Sequence, residues 1–316
     1  MGNEVGRDGN QEYNRFFQDF TPLRKEYIKI IGKGVEVFRP RAPRLPEESI
    51  LFIEYMFQQG GMAPGQGQNE IDRLKGMLEI RKRLNSKHIA SLVWVNFKEQ
   101  NSMCASAVTS QLAFEHSEMN LARYITEAKQ TRSSLVKMNQ LYVPGPKLAS
   151  FMSQIAQALA GYRAHGIVHG FVCPEAILMY NVLSDRPLYK LIDVPMLGHF
   201  PNAYERMRTE FDFHAPLDPF LLDSYSKNAI AMYDEPKDIW ALGITTLCYA
   251  LNDDFSRYYD WTKKAMRRDQ IDRAIATLYE NSLDPQIIDT IKMTLSFDQG
   301  ARIDSMGILN RLQGKF

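Results

Sequence analysis

The stretch Asp238–Leu251, DIWALGITTLCYAL, constrains this chain more than any other. It is apolar on nearly every face of a helical period, and a helix of that kind is stable only when other elements cover it all round. The chain must therefore supply a sizeable helical shell. Its 316 residues allow one large domain or two lobes. No apolar run approaches the roughly 18–20 residues needed to span a bilayer, so the covering is protein and no transmembrane segment is expected. With 45% hydrophobic and 24% charged residues, disorder is excluded for most of the chain. Lys plus Arg number 38 and Asp plus Glu 37, a formal charge of +1. That balance argues against nucleic acid as a partner, which calls for a basic field or face.

The cysteines Cys104, Cys173 and Cys248 match no zinc spacing, and an odd number makes a poor disulfide framework. Reduced thiols in a cytoplasmic compartment are expected. Residues 1–25 read as a polar arm, and the first twenty hold no apolar signal core, so secretion is not expected. Met1-Gly2-Asn3 begins like an N-myristoylation site. Position 6 is Gly6 rather than Ser or Thr, so lipidation at Gly2 is not expected.

Residues 26–56 read as strands around a Gly32-Lys33-Gly34 turn, with SILFIEYMF the strongest of them. The Gly/Gln tract 58–70 reads as a loop, 70–84 as a helix, and 89–97 and 103–114 as further strands. A short helix near 118–127 precedes a polar insert over 128–146. Beyond 147 the period changes. Leu148, Phe151, Met152, Ile155, Leu159 and Tyr162 share one helical face, closed by Gly166. AILMY and LYKLI read as strands joined near Ser184-Asp185. Helices are expected at 255–280, 285–296 and 304–313, the second opened by Asp284-Pro285 as N-cap and first residue.

This order resembles the eukaryotic protein kinase family over about residues 26–313. AHGIVHGFVCPEAILM is similar to the family's catalytic loop H-R-D-L-x-x-x-N. LIDVPML falls at D-F-G, FHAPLDP at A-P-E, and DIWALG at D-x-W-S-x-G. SFDQGARI matches the late segment whose Arg, here Arg302, pairs with the Glu of A-P-E. The resemblance implies a bilobal α+β fold: a β-rich N-lobe over 26–114, a larger helical C-lobe over 115–316, and a junction near 112–120.

Phosphoryl transfer needs a carboxylate to position the substrate hydroxyl, acidic or amide ligands for Mg²⁺, and a strand-three Lys paired with a helix Glu. By the resemblance the catalytic Asp position is Phe171, whose ring accepts no proton. The metal-binding Asn position is Ala176, which has no ligand atom, and the Lys that often follows the Asp is Cys173. No Lys occurs between Lys33 and Lys75, so strand three has none. The preferred register puts Glu54 there and Phe52 at the small residue that packs on adenine. On the helix, Met77 falls at the Glu position and Glu79 lies two residues away. Gly170 replaces the Arg of H-R-D, so a phosphate on Thr209 would find no partner there. Asp193 keeps the Asp of D-F-G, followed by Val194 and Pro195. Gly32, Lys33, Gly34 and Asp193 remain as weak candidates for nucleotide. By the same resemblance His169, Asp238, Trp240, Gly243 and Arg302 keep the packing of the frame, with Asp218 beside Leu217 available to Arg302.

These positions imply a catalytically inactive kinase-like domain, a pseudokinase, that works in signalling as a protein-binding scaffold or allosteric partner, with no cofactor expected. A divergent kinase that still binds ATP is one alternative. Another is a structural subunit of an assembly, docking through 58–70, 128–146 or the extended stretch 217–237. Small-molecule phosphotransferases, whose loop often reads H-G-D, share His169-Gly170, but DIWALG and Arg302 favour protein kinases. His165 and His169 lack the Glu and the unbroken helix of a zinc hydrolase. The basic clusters 81–87 and 263–268 read as solvated helix faces.

Overall fold

The computed structural model describes residues 18, 20–28, 33–40, 50–58, 66–101, 106–131, 142–192, 216–227 and 234–315. The chain divides into two units. One takes residues 1–85 and 90–118, the other 86–89 and 119–316.

The first unit is an antiparallel sheet with one helix. Strands β1 (Phe20–Ile28), β2 (Lys33–Pro40), β3 (Ile50–Gln58), β4 (Leu92–Asn101) and β5 (Ser106–Glu115) lie in the order β1-β2-β3-β5-β4. Helix α1 spans Gln66–Arg83. β-Branched and aromatic residues suit the pleated, half-buried surface of β3 and β5. Leu51, Leu112 and Phe114 are buried there, with Leu78 of α1. Phe52 registers with Ala113, and Ala113 with Trp94. The small Ala113 lets the two rings meet over it at 6.3 Å. The buried Asn96 donates to Gln111 at 3.2 Å, and the buried Arg81 guanidinium donates to the Ala90 carbonyl.

The second unit is mainly helical. It contains α2 (Leu121–Thr131), α3 (Gly145–Ala164), α4 (Pro219–Ser226), α5 (Glu235–Leu251), α6 (Arg268–Glu280), α7 (Pro285–Thr294) and α8 (Ser305–Leu312). A small sheet, β6 (Met119–Asn120), β7 (Ile177–Tyr180) and β8 (Leu188–Leu191), runs in the order β6-β7-β8. A hairpin joins β9 (Tyr259–Asp260) to β10 (Ala265–Met266). Helix α5 carries the sequence's central apolar stretch and is buried without interruption from Lys237 to Ala250. Helices α3, α6 and α7 pack on it. The α7 contact is close because of Gly243. A Cβ built there would stand 2.3 Å from Thr294 Oγ1 and 2.8 Å from Leu295 Cδ2. Tyr249 of α5 shares a 2.9 Å hydroxyl–hydroxyl hydrogen bond with Tyr189, and Phe151 of α3 stands edge-on to both rings. No described helix is long and apolar enough to cross a membrane.

Several boundaries differ from the sequence reading. β1 begins at Phe20, inside the stretch read as an arm, because Arg24, Lys25 and Glu26 mask its strand character. Helix α1 starts at Gln66, inside the Gly/Gln tract. Part of 217–237 is helix α4 rather than extended chain, and Asp218 accepts from Leu221 N at 2.7 Å at its start. The helix expected over 255–280 is confined to 268–280. A short 3₁₀ turn, Phe255–Tyr258, and the β9–β10 hairpin replace its first half. There Tyr259 and Trp261 stack at 4.7 Å, and Lys264 takes a left-handed φ of 50°.

Candidate functional site

The loop that follows α3 is set by helix termination. Gly166 adopts φ +69°, and the His165 and Ile167 amides donate back to the Tyr162 carbonyl at 3.0 and 3.2 Å. This turn sends the chain under α5. There Asp238 reaches the loop with both carboxylate oxygens. The His169 amide donates to Oδ2 and the Gly170 amide to Oδ1, each at 2.9 Å. Gly170 takes φ +83°, a conformation that a side chain would strain.

The His169 ring is fixed on both sides. Its Nε2 lies 3.0 Å from the Ile192 carbonyl, and its Nδ1 accepts the Phe171 amide at 3.2 Å. A carbonyl accepts and an amide donates, so the proton sits on Nε2. Tyr162 stands edge-on to the ring at 5.5 Å. With both nitrogens engaged, His169 has none left to share with His165, whose Nδ1 faces the Gly161 carbonyl. Among the described residues no group of three or more His, Cys, Asp or Glu is arranged to hold a metal ion.

Asp238 is fully buried, and no Lys, Arg or His side chain makes an ion pair with it among the described residues. Burial pushes its carboxyl up to about 7, against the two amide hydrogen bonds, and the neighbouring Asp234 and Glu235 push in the same direction as burial.

Phe171 follows Gly170 and is 3% exposed; Ala176 is 1% exposed. The turn Pro174–Ala176 begins at the extended Cys173, whose carbonyl accepts the Ala176 amide at 3.0 Å. The Ala176 carbonyl in turn accepts from Ile192 at 2.9 Å, tying the turn to the end of β8. Burial raises the Cys173 and Cys248 thiols well above their ordinary range.

A second constellation secures the start of α5. Arg302 Nη1 donates to Asp218 Oδ2 at 3.3 Å and to the Pro236 carbonyl at 2.6 Å, while Nε and Nη2 donate to the Ser296 carbonyl. Both charged side chains are fully buried. Gln299 also donates to Asp218 Oδ2, at 2.7 Å. Trp240 lies beneath the Arg302 guanidinium and stands edge-on to Phe297. Its indole N–H donates to the Tyr259 hydroxyl, which itself donates to the Leu217 carbonyl at 2.7 Å. Tyr259 carried no signal in the sequence, because its role depends on loop geometry, and Gln299 lay within SFDQGARI without a role of its own. Burial lowers the Arg302 pKa, against the pull of Asp218.

The structure thus brings His169, Gly170, Phe171, Ala176 and Asp238 together, and separately Trp240, Asp218 and Arg302. Glu54, Lys33 and Gly34 lie on strands whose backbone alone is described; Glu54 registers with Gln111. Gly2, Gly32, Cys104, Asp193, Val194, Pro195 and Thr209 lie outside the described residues. Glu79 is exposed and pairs locally with Lys82 at 2.7 Å. In the second basic cluster Arg268 stacks on Phe297 at 3.7 Å.

No protein-family model matches the chain, and no curated protein matches it in sequence. Its fold, however, is that of a protein kinase-like α+β protein, with a small sheet-bearing unit and a larger helical one. Among the solved structures it resembles is Rad53 1–466 in complex with AMP-PNP, with TM-score 0.54 and 16% identity over 94% of this chain. Another is the CAK complex from Chaetomium thermophilum bound to ATP-gamma-S, with TM-score 0.55 and 14% identity over 98% of this chain and 94% of that one. The chain spans 65% of the length of the Rad53 structure.

Proposed function

We propose that this chain is a catalytically inactive protein kinase-like domain, a pseudokinase, that serves as a protein-binding scaffold or allosteric partner. The observation that carries this reading is Phe171. In the kinase loop this chain resembles, that position holds the carboxylate that orients the substrate hydroxyl. Here it is a buried phenyl group inside a loop whose His169, Gly170 and Phe171 amides are held by Asp238 and the His169 ring. Ala176, at the amide ligand's position, offers no oxygen from its side chain. The sequence adds the lack of a strand-three Lys and the acidic Glu54 in its place.

Function then rests on surface rather than on chemistry, with protein partners and no cofactor. The buried free thiols Cys173 and Cys248 suit a reducing, cytoplasmic setting. The test combines a γ-phosphate transfer assay with a thermal-shift titration against ATP and Mg²⁺. We expect no transfer and no shift at millimolar nucleotide. A ligand at a hundred times its dissociation constant would stabilise the fold by about 2.7 kcal/mol, a shift well within detection. Transfer that disappears in Asp193→Ala would overturn the proposal; a shift without transfer would instead show a divergent, nucleotide-binding kinase.

A further inference from the structure

We draw no further inference here: the strongest candidate, the open cavity between the 3₁₀ turn Phe255–Tyr258 and the β9–β10 hairpin, sets the carboxylates of Asp254 and Asp260 beside the guanidinium groups of Arg257 and Arg267 and so selects no one charge, and nothing in the structure shows what fills it.

Discussion

At the scale of single residues, Asp238 is the most consequential group described. Replacing it with Asn puts an N–H₂ against a backbone N–H and leaves one loop amide unpaired. A loss of about 1–3 kcal/mol is expected at about pH 4, where the parent carboxyl is protonated, and it should shrink as pH rises, read from the midpoint of urea denaturation. The pH dependence has a definite sign. The folded carboxyl titrates near 7 and the ordinary value is 3.8. Its contribution to stability is therefore fully present below the ordinary carboxylate range and is lost as pH rises through about 7. Relative to Asp238→Asn, the parent protein should lose roughly 1 kcal/mol per pH unit across that window. Asp284 and Asp304, held below the ordinary value by Lys315 and Arg163, run the opposite way but are common to both proteins and cancel. Gly243 acts through space rather than charge. Gly243→Ala forces a methyl group onto Thr294 and Leu295 and should cost about 1–3 kcal/mol. Thr294→Ala in the same chain should recover part of that loss, because it removes the nearest atom.

At the scale of elements, the helical unit is organised around α5, with one polar tie at its start and one further along its first turn. The first is the Arg302–Asp218 pair. Breaking a buried pair leaves a charge without its partner, so Arg302→Met should destabilise by about 3–5 kcal/mol. Adding Asp218→Asn should return part of this, while the Asn oxygen can still accept from Leu221. A chemical denaturation double-mutant cycle measures the coupling. This scale also shows what the sequence made legible. Helix α5 could be read because its apolar residues surround it, and α3 because six of its apolar groups share one face. The β9–β10 hairpin could not be read. Its turn places a Lys, not Gly or Asn, in the left-handed region, and its aromatic residues fit a helical period as well as a strand. Tyr259 was missed for the same reason, although it joins Trp240 to Leu217. Helix α4 was hidden by a sequence too short to show a period, and β1 by its charges.

At the scale of the whole molecule, the protein kinase-like fold could be read because five short matches occur in the right order, although no one of them is strong. Backbone detail could be read only where residue type dictates it, as at Gly166, which closes α3 with a left-handed φ; Gly170 was read only as a lost Arg, and its own left-handed φ was not foreseen. Glu54 and Lys33 show the limit, since register along a strand fixes a position but not what its side chain does. The net charge of +1 adds a prediction. With so little net repulsion near neutrality, solubility should pass through a minimum slightly above pH 7 and recover on either side, as measured by precipitation against pH.

The division of the chain has a practical meaning for fragments. Residues 86–89 belong to the helical unit although sequence on both sides of them belongs to the sheet. The polypeptide therefore passes between units three times, and no single cut separates them. A fragment beginning at Met119 would leave Leu191 without Ile89, its bridge partner, and without the His88 carbonyl that accepts the Leu191 amide at 2.9 Å. Supplying residues 86–89 as a peptide, or splicing them ahead of Met119 through a short linker, should raise that fragment's melting temperature. An unchanged melting temperature would mean that the segment is only passing through. The stitch makes the borrowed tetrapeptide, rather than the junction near 118, the decisive boundary for anyone dissecting this protein.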